Sequence, residues 1–181
     1  MKLIIAPTDF SAISDNAIKY ATDMAVATGS NLMLVSVYQL PISFSEVPLV
    51  TISLDEIRKI TEDKLTELKH NIETITGGKV KIYTESRLGD VSEEITKLSD
   101  TLSPFSIIMG TRGTTGAGRF FMGSNTISVI SKVGVPVLVI PPGVRFKPFK
   151  KIGLATDLRG VVDNTPVAKI REIVQFFHAE L

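Results

Sequence analysis

Four residues with phosphate-binding character stand in a fixed pattern. Gly110 and Gly113 flank Thr111 and Arg112, and after nine intervening residues come Gly123 and Ser124. Glycine lets backbone N–H groups approach phosphate oxygens where a Cβ would block them, and it accepts positive φ. Arg112 adds charge between the two glycines. Ser124 opens a helical pattern, Ile127, Ile130 and Val133, so its hydroxyl and the first free N–H groups of that helix face the same anion. The apolar run at 105–109 just ahead reads as a short buried strand. The glycines therefore sit where a parallel strand empties into a loop that leads to a helix, the position at which α/β proteins hold anionic ligands. On composition alone, Gly113, Gly116 and Gly118 with Thr114 and Thr115 read equally well as a flexible surface loop.

The elements around this pattern alternate strand and helix with short connections, which predicts an α/β fold with a parallel sheet covered on both faces. Strands are expected at 3–6, 31–37, 80–84, 105–109 and 135–140. The first helix runs over 12–28 and stops at Gly29; Ser53 and Glu56 form a capping box for the second, which Gly77-Gly78 ends. Asp90 with Glu93 caps a shorter third helix. Residues 38–51 show no period and read as a loop that packs apolar groups locally beside the pocket. Pro136 has no N–H donor, which confines it to an edge strand or a strand's beginning.

Asp9 stands at the carboxyl end of a central strand and faces the crevice where open α/β sheets bind ligands. Its two readings are a chemical role, accepting a ribose hydroxyl or helping to hold Mg²⁺, and a cap on the first helix beside Ser11, and they do not exclude one another. No other chemistry is signalled. The stretch at 113–120 approximates a P-loop but has Arg119 for the lysine and Phe120 where a magnesium-binding hydroxyl is required. No Gly-x-Gly-x-x-Gly follows the first strand, and no Gly-x-Ser-x-Gly elbow is present. His70 and His178 lack metal-ligand spacing. Nothing supplies a general base or an Arg plus acid pair dedicated to phosphoryl transfer.

Over residues 1 to about 142 the chain resembles the universal stress protein family, whose nucleotide-binding members carry Gly-x-x-Gly, nine residues, and Gly-Ser/Thr after their fourth strand. The opening Leu3-Ile-Ile-Ala-Pro-Thr-Asp9-Phe-Ser11 and the closing Val135-Pro-Val-Leu-Val-Ile140 match as well. The resemblance implies a doubly wound, Rossmann-like five-stranded parallel sheet of order 3-2-1-4-5. It implies that Pro7, Thr8 and Asp9 border adenine and ribose and that the Val37 backbone meets the adenine edge. It further implies that Met109, Gly110, Arg112 and Gly113 hold ribose and phosphates, with Gly123, Ser124, Asn125 and Thr126 closing on the phosphate chain. Asn125 departs from the small apolar residue usual there. The ligand so implied is ATP, ADP or AMP, with Mg²⁺ at Asp9. The expected function is a regulatory or stress-response module that binds the nucleotide without being an enzyme. The alternatives are an enzyme on the same fold that transfers or hydrolyses a phosphoryl or adenylyl group, and a dimerisation module with an empty site.

The opening pattern returns near the end. Lys151-Ile-Gly-Leu-Ala-Thr156-Asp157 echoes the first strand, with Thr8 and Asp9 repeating at an offset of 148. A helical stretch with Val167, Ile170, Val174 and Phe177 follows. The expected organisation is a domain over 1–143, a linker over 144–150, and a partial second unit over 151–181, its first strand and helix. The fifth strand presents an apolar edge, so a homodimer through 135–140, or a pseudo-dimer with the chain's own second unit, is expected.

Composition bounds the rest. The 181 residues are 44% hydrophobic, enough for a full core. With 20 basic and 19 acidic residues the net charge is +1, and no basic stripe marks a nucleic acid partner. Cysteine is absent, which excludes disulfides and thiol catalysis. No apolar run approaches the roughly 20 residues that span a bilayer. The short apolar start before Pro7 reads as a strand and not a leader, so no membrane association and a cytoplasmic location are expected.

Overall fold

The computed structural model describes residues 2–39, 53–111, 122–155 and 165–181. The strands are β1 (Leu3–Pro7), β2 (Asn31–Tyr38), β3 (Ile82–Leu88), β4 (Ser106–Gly110) and β5 (Val137–Ile140). The helices are α1 (Ala12–Thr28), α2 (Leu54–Thr76), α3 (Val91–Leu102), α4 (Ser124–Lys132) and α5 (Val167–Phe177). The five strands form one all-parallel sheet in the order β3-β2-β1-β4-β5. Ile5, Val35, Ile107 and Met109 pack with Ile95 and Leu98 of α3 and Val129 of α4, all at most 7% exposed. Helix α1 lies against β1 and β4, and α2 against β2 and β3.

Local chemistry fixes the helix ends. Ser11 caps α1, its Oγ accepting the Ser14 N–H, and Gly29 closes that helix in the left-handed conformation at φ 62°. Ser53 and Glu56 exchange both bonds of the capping box on α2. Asp90 Oδ1 accepts the N–H groups of Ser92 and Glu93 to start α3; the Glu93 side chain, expected to share that cap, is not part of it.

Two strands differ from expectation. β3 lies at 82–88 rather than 80–84 because its length is templated by β2: the parallel register runs from Leu32↔Ile82 to Tyr38↔Leu88. β5 begins at Val137 rather than at 135, since Pro136 offers no donor and contributes only its carbonyl, which accepts the Ile107 N–H at 2.9 Å.

The chain divides into two units, residues 1–146 and 147–181. After β5 the first unit continues along α1. Asn16 Nδ2 donates to the Pro141 carbonyl and its Oδ1 accepts the Gly143 N–H, both at 3.0 Å. Tyr20 meets Phe146 edge to face at 5.4 Å, and Asp23 takes both arms of the Arg145 guanidinium at 2.8 and 2.9 Å. Asn16, Tyr20 and Asp23 follow one another at helical spacing, so one stripe of α1 seats residues 141–146.

In the second unit the first strand expected from the repeated opening at 151–157 does not form over its described part. Only a single parallel bridge joins Lys151 to Glu180, because the opposing segment contributes one residue and two hydrogen bonds, Ile152 N–H to Glu180 O and Glu180 N–H to Lys150 O. The helix falls at 167–177 as the spacing predicts. Its closing turn repeats that of α1. His178 occupies the left-handed position that Gly29 takes, and Ala179 N–H reaches Val174 O as Ser30 N–H reaches Ala25 O. Glu180 N–H likewise meets Lys150 O as Asn31 N–H meets Lys2 O.

Candidate functional site

A cavity of about 400 Å³ opens at the carboxyl ends of β1, β2 and β4. Sheet order reverses between β1 and β4, and such switch points are where open α/β sheets take ligands. Pro7, Thr8 and Asp9 enter it from the end of β1, Val37 from β2, and Met109 and Gly110 from β4. Gly123, Ser124, Asn125 and Thr126 enter it from the start of α4. Arg112 and Gly113 lie outside the described residues. Sequence reasoning missed five lining residues: Ser11, Ile13, Ser14, Val35 and Val91. Val35 was accessible as the residue two before Val37 on the same strand face, and Ser11 with Ser14 as a capping spacing.

The apolar end is built from Val35, Val37, Val91 and Met109. β1 ends at Pro7, opposite Val35, and the Thr8 N–H reaches the Val35 carbonyl at 2.8 Å. Backbone groups in a strand alternate sides, so Val37 turns its N–H and C=O the same way as Val35, toward a β1 that has stopped. That leaves a donor and an acceptor side by side for a flat heterocycle.

The two helix N-termini differ. At α1 the chain satisfies itself: Asp9 Oδ1 accepts the Ser11 N–H at 3.0 Å, and Ser11 Oγ accepts the Ser14 N–H at 3.3 Å. The Thr8 hydroxyl donates to Ser14 Oγ at 3.2 Å and accepts the Phe10 N–H at 2.9 Å. This tight turn holds Phe10 at φ 60°, an unusual conformation for a bulky residue. At α4 the capping residue is Gly123, and among the described residues no side chain caps that end. Among the described residues the N–H groups of Ser124, Asn125 and Thr126 have no partner, which suits them to a ligand, and the helix dipole adds positive potential there. The Thr126 hydroxyl, donating to the Gly110 carbonyl at 3.4 Å, ties α4 to the end of β4.

Gly110 has a packing reason the sequence reading did not contain. A Cβ built there stands 2.6 Å from Ile13 Cγ2 and 2.7 Å from the Ile13 carbonyl oxygen, so the missing side chain admits the first turn of α1. A second cleft of about 380 Å³ runs between α1 and α2; there the Phe10 ring lies 5.3 Å from Lys64 Nζ, and Thr8 and Ser11 form the wall shared with the first cavity.

Asp9 is the only charged residue among the described lining of the first cavity. Burial pushes its carboxyl up, but the Ser11 and Ser14 hydroxyls and the Ser11 N–H outweigh that and hold it below the usual carboxylate range. The Ser92 hydroxyl and the Glu93 N–H likewise lower Asp90, and Lys97 and Arg87 lower Glu94. A carboxylate depressed in the folded state contributes stability above its unfolded pKa and loses it as pH falls through the folded value. The melting temperature is therefore expected to stay level from pH 7 to about 5 and to fall below about pH 4. A marked drop between pH 7 and 5 in thermal melts would contradict it.

As to metal, Asp9 already accepts the Ser11 N–H at Oδ1. No group of three or more His, Cys, Asp or Glu side chains able to hold an ion occurs among the described residues. A magnesium ion here would be held mainly by the ligand's own phosphates, with Asp9 as the protein's contribution.

The family model of the universal stress proteins matches residues 1–141. This chain belongs to that family. Universal stress protein MJ0577 of Methanocaldococcus jannaschii is 30% identical over 154 residues, covering 77% of this chain and 94% of the relative. A universal stress protein solved in complex with cAMP shares the fold at TM-score 0.57 and 21% identity, over 77% of this chain and 96% of that one. One from Archaeoglobus fulgidus, solved in complex with dAMP, does so at TM-score 0.53 and 17% identity, over 77% and 97%. No described helix of this universal stress protein is long and apolar enough to cross a membrane.

Proposed function

We propose that this universal stress protein binds an adenine nucleotide, ATP in the first place, and serves as a nucleotide-dependent regulatory or stress-response module in the cytoplasm. The observation that carries the reading is the start of α4, uncapped among the described residues, facing an apolar crevice whose other wall carries Val37 of β2 past the end of β1. The base fits the β1–β2 end, and the phosphates fit α4. Complexes of family members with cAMP and dAMP support the choice of an adenine nucleotide. Arg112 and Gly113 complete the phosphate side in this reading, and Mg²⁺ accompanies the phosphates at Asp9.

Binding, not turnover, is the proposed activity, because donors that grip ground state and transition state alike give no acceleration. Titration of the purified chain with ATP should saturate at one site, and prolonged incubation with Mg²⁺ and ATP should return the nucleotide intact. Repeated turnovers abolished by Asp9→Ala would replace this reading with an enzymatic one, and failure to bind ATP at all would end it. We also read residues 151–181 as the opening of a second family unit, on the strength of the repeated closing turn at His178 and Glu180. The half-buried β5 edge is the surface proposed for pairing, with a second copy or with a second unit's matching strand.

A further inference from the structure

Helix α4 carries the anion end of the site, yet it is short and weakly held. It has nine residues, and only Thr126 and Val129 are buried, while Ile127 and Ile130 are 52% and 41% exposed. A helix of this length depends on tertiary contacts for its position. Those contacts form one stripe at a spacing of three residues. Thr126 reaches the Gly110 carbonyl, Val129 is fully buried against α3, and Lys132 Nζ donates to Ser92 Oγ at 2.9 Å.

The last contact is fixed at both ends. Ser92 is 4% exposed, and its hydroxyl proton is given to Asp90 Oδ1 at 2.6 Å, which leaves its lone pair for Lys132. Asp90 in turn caps α3 through two N–H groups. Lys132 also lies in the last turn of α4, where a cation complements the same dipole whose positive end opens on the cavity.

We infer that Lys132 and Ser92 are positioning residues for the phosphate end of the ligand, an inference that rests on the nucleotide reading above. Without this polar anchor only Val133, just past the helix, holds the far end against the core, so α4 pivots about Val129 and the N–H groups of Ser124, Asn125 and Thr126 leave hydrogen-bond range of the phosphates. The nucleoside end, built on β1, β2 and β4, does not move with it.

The test is calorimetric titration of the full chain with ATP and with adenosine. Lys132→Met keeps the stem and removes the donor; Ser92→Ala removes the acceptor. Each should weaken ATP roughly 3- to 10-fold, the scale of one hydrogen bond, and leave adenosine within about twofold. The double variant should be no worse than either single one, and Lys132→Arg should restore ATP affinity. Unchanged ATP affinity, equal losses for ATP and adenosine, or additive losses in the double variant would each overturn the inference. Adenosine and ATP both failing to bind the unaltered chain would instead remove the nucleotide reading, and this inference with it. Circular dichroism confirms that each variant is folded, and Ser92→Ala, the milder change, carries the test if Lys132→Met is not.

Discussion

Gly110→Ala should cost about 3 kcal/mol of stability, the upper end of what overpacking a close contact usually costs, and lower the melting temperature by roughly 10 °C. The added methyl would meet both a side-chain carbon and a backbone oxygen of Ile13 at under 3 Å. A side chain alone can rotate away; the carbonyl belongs to the first turn of α1 and cannot. Ile13→Ala in the same chain should therefore recover only part of the loss. Urea unfolding of the single and double variants measures both effects. A Gly110→Ala protein as stable as the parent would show that α1 and β4 are free to separate, and the packing account would fall.

The second large effect concerns the ligand. Ser124→Pro removes the hydroxyl and one N–H from the start of α4 while leaving the helix geometry intact, because proline is favoured at the first helical position. Gly123 already has φ −62° and ψ 151°, the extended conformation that a following proline demands. The fold should thus be unharmed, and its melting temperature unchanged or raised. ATP affinity should fall about 10- to 100-fold, the range for losing a hydrogen bond to a charged group. Ser124→Ala, which keeps the N–H, should lose clearly less, and adenosine should bind both variants as it binds the parent. ATP bound equally well by Ser124→Pro would mean that the phosphates do not lie on α4.

Much of this was legible in the residues themselves. Caps announced the helices: Ser53 with Glu56, Asp90 before Val91, Gly29 after Thr28. Apolar runs announced the buried strands β1, β2 and β4. Where burial is one-sided the signal faded, and β3, an edge strand whose second half carries Glu85 and Arg87, was placed two residues early at its start and four at its end. Gly110 shows a different limit. Its place in a phosphate-binding pattern was readable, but its contact with Ile13 spans nearly a hundred residues of sequence and leaves no local trace. The stripe Asn16, Tyr20 and Asp23 was hidden for the same reason, since nothing in a helix pattern says which exposed positions will meet residues 141–146. The difference between a capped α1 and an uncapped α4 was half visible: serine precedes one helix and glycine the other.

The turn that satisfies the start of α1 leaves a cost in plain view. Phe10 is held left-handed between the Thr8 hydroxyl and the Asp9 turn; glycine would adopt that conformation freely, whereas a bulky residue gives up on the order of 1 kcal/mol or more. Stability by itself thus favours glycine at position 10. What the phenylalanine adds is a ring in the cleft between α1 and α2, beneath Lys64, on the back of the wall that Thr8 and Ser11 share with the first cavity. The universal stress protein thus gives up folding stability at this position and gains an aromatic surface directly behind the cavity proposed for the nucleotide.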